Sequence, residues 1–300
     1  MHAGMNRTAY IATNLLANAL APVTAKVHGR GALGVDRDPR RVAFTLERLA
    51  PAFKAADISV VGGRVVELGP GRTPELLAAF ALAGAKEALG YETTLESGTD
   101  LTPSDMDELA RLLEASAPGF IEAAGGLTPA SPDAVSLAAY NGSAIPLEAA
   151  SVDLLYSRTV LEHVRGRDVR PLIADMRRVL KPGASMVHLI DFRDHMKLTR
   201  TDEPDGWTFT NVHGDWLDAL TYSDRLFDAM FSRRPVYINR LRSSDWRSLL
   251  LDAGFELLHV NEDSLPLASP RHPLDARFRS YDQDVLETAS MIVTCRKPQP

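Results

Sequence analysis

The most reactive grouping of side chains in this sequence is an imidazole beside carboxylates, in Asp191-Phe192-Arg193-Asp194-His195. An imidazole takes and releases a proton near neutral pH, and a neighbouring carboxylate can hold its ring in the orientation that the transfer needs. His195 therefore reads as a general base, with Asp191 or Asp194 as the group that orients it. A second imidazole, His163, follows Glu162. It either lines the same site or is a helical residue satisfied by a backbone carbonyl, and the sequence leaves both open. The other suggestive stretch is Glu67-Leu68-Gly69-Pro70-Gly71, which follows a short apolar run. Gly69 and Gly71 permit positive φ and remove Cβ atoms where a ligand must approach the backbone.

What this turn lacks narrows its ligand. A dinucleotide fingerprint needs a third glycine three positions after the second, and Pro74 stands there. A triphosphate loop needs a Lys-Ser/Thr pair after its glycines, and none follows. The turn suits a ligand without a phosphate chain. Glu67, acidic and at the strand end, suits a ligand with a positively charged part. S-adenosylmethionine carries two such parts, an ammonium and a sulfonium.

Six blocks in order then support one resemblance. They are Glu67 to Gly71, Glu92 at the end of the next strand, Asn141-Gly142-Ser143-Ala144-Ile145-Pro146-Leu147, Asp153-Leu154-Leu155-Tyr156-Ser157, Val160-Leu161-Glu162-His163-Val164, and Arg178-Val179-Leu180-Lys181-Pro182-Gly183. With them the chain resembles a class I S-adenosylmethionine-dependent methyltransferase of the type 11-like group. The resemblance implies that Glu67, Gly69, Pro70 and Gly71 hold the methyl donor, and that Glu92 accepts hydrogen bonds from both ribose hydroxyls. It also implies that Asn141 stands where the family often has an Asp facing the adenine amino group, and that Gly142, Ser143, Ser157 and Arg158 line the same cofactor. The implied reaction is an in-line displacement that moves a methyl group to a small-molecule acceptor, with oxygen as the expected nucleophile. An RNA or protein methyltransferase and a non-catalytic S-adenosylmethionine-binding protein are the alternatives.

The elements that must position these residues follow from periodicity. Helical spacing covers Thr8 to Lys26, through Ile11, Leu15, Leu16, Ala19 and Leu20, and again Pro39 to Lys54. Strands are expected at Arg64–Leu68, Glu87–Glu92, Val135–Tyr140, Val152–Ser157, Met186–Asp191, Phe255–Val260 and Ala289–Arg296. A helix starts at Pro74 with Thr73 as its cap, and another runs from Ser244 to Ala253. The expected fold is α/β, a Rossmann-like seven-stranded sheet with an antiparallel last strand. N-terminal helices cover it over 1–57, and the catalytic domain spans 58–300. Within that domain, residues 93–134 form an insertion with one helix, and 196–243, between strands five and six, form an acceptor lid. Trp207, Phe209, Trp216, Tyr222 and Phe227 give the lid either an apolar wall or a core, while Arg240 or Arg242 either holds an anionic group or makes surface ion pairs.

Composition excludes several classes of partner. A chain of 300 residues with 45% hydrophobic content can bury a full core. A net charge of -6 argues against a polyanion, so nucleic acid is not an expected partner. The seven Lys or Arg residues between Arg158 and Lys181 fall at mixed helical phases among Leu172, Ile173, Met176 and Val179, which reads as a solvated helix face. Ala9 to Ala21 imitates a signal peptide, but Thr13, Asn14 and Asn18 interrupt it and Pro22 follows the apparent cleavage site. No stretch suffices for a membrane span. Cys295 is the one cysteine, which excludes an intrachain disulfide and fits a cytoplasmic setting. No metal-ligand cluster is expected, and the oligomeric state is not legible.

Overall fold

The computed structural model describes residues 6–28, 39–71, 74–93, 101–142, 144–195, 216–234, 237–266 and 272–300. Ser143, Thr73, Trp207 and Phe209 lie outside the described residues, as do 94–100 of the insertion and 196–215 of the expected lid.

Seven strands form one sheet: β1 (Arg64–Leu68), β2 (Glu87–Glu92), β3 (Val135–Ala139), β4 (Val152–Arg158), β5 (Leu180–Asp191), β6 (Glu256–Ser264) and β7 (Thr288–Arg296). Their order is β3-β2-β1-β4-β5-β7-β6. All neighbours from β3 to β5 run parallel, and β7 is antiparallel to both β5 and β6. The chain order reverses between β1 and β4, where Leu68 is in register with Ser157. Open α/β sheets bind ligands at such a reversal, beyond the carboxyl ends of the strands.

Nine helices are described around the sheet: α1 (Arg7–His28), α2 (Pro39–Ala55), α3 (Glu75–Leu82), α4 (Pro103–Ser116), α5 (Pro118–Ala124), α6 (Gly166–Val179), α7 (Asp224–Phe231), α8 (Ser243–Asp252) and α9 (Gln283–Glu287). Covered on both faces, the central strands are nearly continuous apolar runs rather than alternating ones. Val65, Tyr156 and Val187 face a core with α2, α3, α4 and α5, while Val66, Leu155 and Met186 face one with α6 and α8. In the first core Phe53, Phe80 and Phe120 lie 6.0–6.1 Å apart, and Tyr156 meets Phe80 at 5.8 Å. Each fully buried ring of this kind stabilises the fold by roughly 1.5–3 kcal/mol.

Several elements differ from the sequence reading. β5 begins at Leu180 and not at Met186, because Gly183 and Ala184 pair with Lys297 beyond the end of β7. The insertion carries two helices. Thr102 and Asp105 cap α4 reciprocally, and Pro118, read as a breaker, opens α5 because a proline at N1 needs no N–H partner. Glu47 on α2 accepts from Gly119 N (2.9 Å) and Phe120 N (3.3 Å), tying this second helix to the N-terminal pair. In α3 the N-cap position is Pro74 and no side chain caps it.

The largest departure is α1. Its buried residues are Tyr10, Asn14, Asn18 and Ala21, and the expected apolar face leaves Leu15, Leu16 and Leu20 exposed at 38%, 62% and 47%. The helix docks on α7 through hydrogen bonds. Asn18 donates to the Ala229 carbonyl (2.8 Å) and accepts from Arg233 N (2.8 Å), and Arg7 donates to the Thr221 carbonyl (2.9 Å). Tyr10 stacks on Tyr222. Partners on α7 thus decide which face is buried, and periodicity alone could not supply them.

Candidate functional site

The turn after β1 is built by close approach. Gly69 has φ +68°, and a Cβ there would lie 2.4 Å from Val160 Cγ2. Gly71 has φ +66°, yet a Cβ on it would meet nothing within 4 Å, so the space beside it is open. Between them Pro70 packs over Gly90 of β2, whose Cβ would come within 2.8 Å of both Pro70 and Leu77 and 2.4 Å of Leu137. Gly90 thus gives α3 the close seat on the sheet that a third glycine in the loop provides elsewhere.

Two carboxylates meet this turn. Glu67 is 2% exposed, and among the described residues its Oε2 has no hydrogen-bond partner. Burial pushes its carboxyl up to about 8; Arg158 opposes the rise, and Glu75 and Glu92 add to it. A buried acid with an unpaired oxygen at an open turn suits a cationic ligand group. Glu92, at the end of β2, accepts from Gly71 N (3.2 Å) through Oε2 and from Thr93 N (2.6 Å) through Oε1. The next strand end is adjacent: a Cβ on Gly142, which has φ +76°, would lie 3.1 Å from Thr93 Cγ2, and Asn141 Oδ1 accepts from Ala144 N (3.3 Å). The structure therefore brings Glu67, Gly69, Pro70, Gly71, Glu92, Asn141 and Gly142 to one edge. Ser157 shares the edge, but its hydroxyl is buried against His188 Nδ1 at 2.7 Å, and Arg158 donates to Thr45 on α2 (3.1 Å).

The histidines assemble at the ends of β4 and β5. After Thr159, at φ +50°, a single 3-10 turn spans Leu161–His163. His163 Nδ1 lies 2.7 Å from the Tyr237 carbonyl. A carbonyl only accepts, so the ring donates from Nδ1 and its Nε2 keeps the lone pair. Burial and the neighbouring His195 depress its pKa to about 4, and the Tyr237 hydrogen bond only partly opposes them. The two imidazole centroids are 4.9 Å apart. The reading of His163 as satisfied by a backbone carbonyl is thus met, on a 3-10 turn and beside His195.

Of the two candidate orienting acids, Asp191 has its Oδ2 3.6 Å from His195 Nε2. That is an electrostatic contact and longer than a hydrogen bond. Burial alone would raise the Asp191 carboxyl, but His195 beside it and the Arg193 guanidinium, bonded to both its oxygens at 2.8–2.9 Å, hold it well below the usual carboxylate range. Asp194 is buried as well. Its N–H donates to the Trp216 carbonyl (2.8 Å), and its charge helps raise the hydroxyl pKa values of Tyr10 and Tyr222.

Neither reading of Arg240 and Arg242 survives. Both are buried and serve as internal tethers. Arg242 donates to the carbonyls of Phe192 (2.9 Å), Leu286 (3.0 Å) and Thr288 (2.5 Å), and Arg240 to those of Ala219 (3.0 Å) and Tyr222 (2.6 Å) and to Asp224. Burial lowers each to about 10. Trp216, Tyr222 and Phe227 are likewise buried, in the two small cores of this region. Sequence reasoning passed over Gly90 and the carboxyl of Glu162. A glycine inside an apolar strand pattern was the available signal for the first; Glu162 had none beyond its place next to His163.

A family model described as a methyltransferase domain matches residues 116–188. No curated protein sequence matches the chain. Among solved structures, an S-adenosylmethionine-dependent methyltransferase from Mesorhizobium loti is similar, with 20% identity, a TM-score of 0.44, and coverage of 84% of this chain and 99% of that one. A second, from Methanosarcina mazei, has 15% identity, a TM-score of 0.41, and coverage of 79% and 93%. The [4+2]-cyclase SpnF has 14% identity, a TM-score of 0.45, and coverage of 97% and 96%. Residues 116–188 thus match a methyltransferase domain, and the strand order and the acidic glycine turn are those expected of a class I S-adenosylmethionine-dependent fold.

Proposed function

We propose that the chain methylates a small organic acceptor at oxygen. The observation that carries this reading is the imidazole of His195, set beside the Asp191 carboxylate at the same strand edge as the glycine turn. S-adenosylmethionine supplies a methyl group already activated by its positive sulfur. The protein's work is to bind, aim the acceptor and, for a hydroxyl, remove a proton. Glu67 and the open backbone at Gly71 would hold the cationic amino-acid end, Glu92 the ribose, and Asn141, Gly142 and Ser143 the adenine. Ser157 and Arg158 shape the floor at the end of β4. His195 would accept the hydroxyl proton, Asp191 would stabilise the imidazolium that results, and His163 would bound the acceptor space. Residues 196–243 would close over the acceptor, with α1 docked on α7 of that lid and α2 packed on the sheet side of the domain. The buried Cys295 fits a reducing cytoplasm.

The basic run gives little support to a nucleic-acid acceptor, because its side chains are largely engaged. Arg178 binds Asp175 and the carbonyls of Ile145 and Leu147, Lys181 binds Asp153, and Arg165 binds the Ser232 carbonyl. Among the described residues no helix is long and apolar enough to cross a membrane.

A labelled-methyl screen of small metabolites, with RNA and protein arms, tests the acceptor. Label is expected in a hydroxylated or phenolic small molecule. Transfer confined to RNA or protein would overturn the reading.

The cofactor assignment has its own test. Glu92→Ala should weaken S-adenosylmethionine binding by about 2 kcal/mol, since two charge-assisted hydrogen bonds would be lost together. Calorimetry measures the loss, and thermal unfolding should change little. A variant that melts early while its folded fraction binds normally would make Glu92 structural.

A further inference from the structure

The histidine cluster contains a group that proton transfer does not use. Glu162 is 2% exposed, and among the described residues neither carboxyl oxygen has a partner at hydrogen-bond geometry, the backbone N–H groups of Glu162 and Asp191 being the donors that act on it. A buried carboxyl in that condition is costly to the fold, and it marks a place where a missing charge or donor would be stabilising. Its neighbours are suited to supply a site. His163 is fixed by its Nδ1–H bond to the Tyr237 carbonyl, which leaves the Nε2 lone pair available. The ring of His195 is 4.9 Å from that of His163, with the Asp191 carboxylate behind it. One ligand atom from each of Glu162, His163 and His195 lies within 4.8 Å of the other two.

We propose that Glu162, His163 and His195 bind a divalent first-row transition-metal ion. Two imidazoles and one carboxylate suit zinc, iron, cobalt or nickel better than magnesium or calcium, which prefer all-oxygen shells. Metal–ligand bonds of about 2.0–2.2 Å put donor atoms about 3–3.5 Å apart, so the cluster closes by no more than about 1.5 Å, within reach of side-chain torsions. The Tyr237 carbonyl and the Asp191 carboxylate are the outer partners that orient ligating imidazoles. Three protein ligands leave a coordination position open. On the methyl-transfer reading, which this last point rests on, that position faces the acceptor; with the ion bound His195 would be its ligand in place of the base, and the ion would instead lower the pKa of a hydroxyl bound to it.

The test is metal uptake by the full chain, read without acceptor or methyl donor. Protein stripped with a chelator is titrated with Co²⁺, whose visible absorption reports imidazole coordination, and with Zn²⁺ while following the melting temperature. About one ion per chain is expected, with a rise in melting temperature. Glu162→Gln, His163→Ala and His195→Ala should each weaken binding at least about tenfold, and His259→Ala, on β6, should not. No stoichiometric Co²⁺ uptake by the wild-type chain overturns the proposal, whether or not the variants fold. Uptake unchanged in all three cluster variants overturns it as well. Full methyl transfer by stripped protein that takes up no Co²⁺ removes the ion and keeps the methyl-transfer reading; Co²⁺ uptake with label confined to RNA or protein does the reverse.

Discussion

Replacing His195 with alanine is expected to lower the rate of methyl transfer by roughly 10²- to 10⁴-fold while leaving S-adenosylmethionine affinity near the wild-type value. The residue follows the end of β5, whereas the groups proposed to hold the cofactor come from the ends of β1, β2 and β3. Its loss should therefore appear in the chemical step and not in donor binding. Single-turnover kinetics together with calorimetry separate the two. His163→Ala gives the contrast. If His195 acts alone as a base, with His163 only bounding the space, the second variant should lose much less rate. Equal large losses in both, accompanied by loss of bound metal, assign the pair to an ion. An effect of less than a few-fold at His195 would leave positioning as the main catalytic contribution and point to a nitrogen or already acidic acceptor.

The other large effect is expected at Glu67, in stability and binding at once. Its carboxyl titrates at about 8 in the folded chain against an ordinary value of 4.5, because burial disfavours the charge. Between those values the folded protein holds a proton that the unfolded chain has released. The stability associated with that proton is fully present below pH 4.5 and is lost as pH rises toward 8. By pH 7 the loss amounts to about 3 kcal/mol. Glutamine cannot ionise, so Glu67→Gln should be more stable than wild type at pH 7 by about that amount, relative to the difference between the two at pH 4.5. Urea unfolding at both pH values measures it, and any constant cost of the buried amide cancels in the comparison. The same variant should bind S-adenosylmethionine more weakly, since the carboxylate available to a cationic ligand is gone. A stability difference that does not move with pH would mean that Glu67 is already ionised and paired in the folded state.

The sequence by itself determined the sheet and the strand-end residues gathered at its edge. Strand runs such as Arg64–Leu68, set between Gly63 and Gly69, and Glu87–Glu92 are short, and both stand where they were expected. Glu67, the glycine turn, Glu92 and Asn141 are local features of successive strand ends, and parallel strands bring such ends to one edge by construction. Positive φ at Gly69 and Gly71 was likewise legible, because glycine is the residue that adopts it without strain.

Only the tertiary structure decided what depends on partners distant in sequence. α1 buries Asn14 and Asn18 because Ala229, Arg233 and Arg234 wait on and after α7, so hydrogen bonds override the apolar stripe. Arg240 and Arg242 became interior tethers because carbonyls from several loops converge on each guanidinium. Asp191 comes within 3.6 Å of His195 while the Asp194 backbone N–H bonds the Trp216 carbonyl, a partner more than twenty residues away in sequence. The meeting of Glu162, His163 and His195 belongs to the same class. Their residues sit after two different strands, and no spacing in the sequence measures the distance between two strand ends that the β4–β5 register sets.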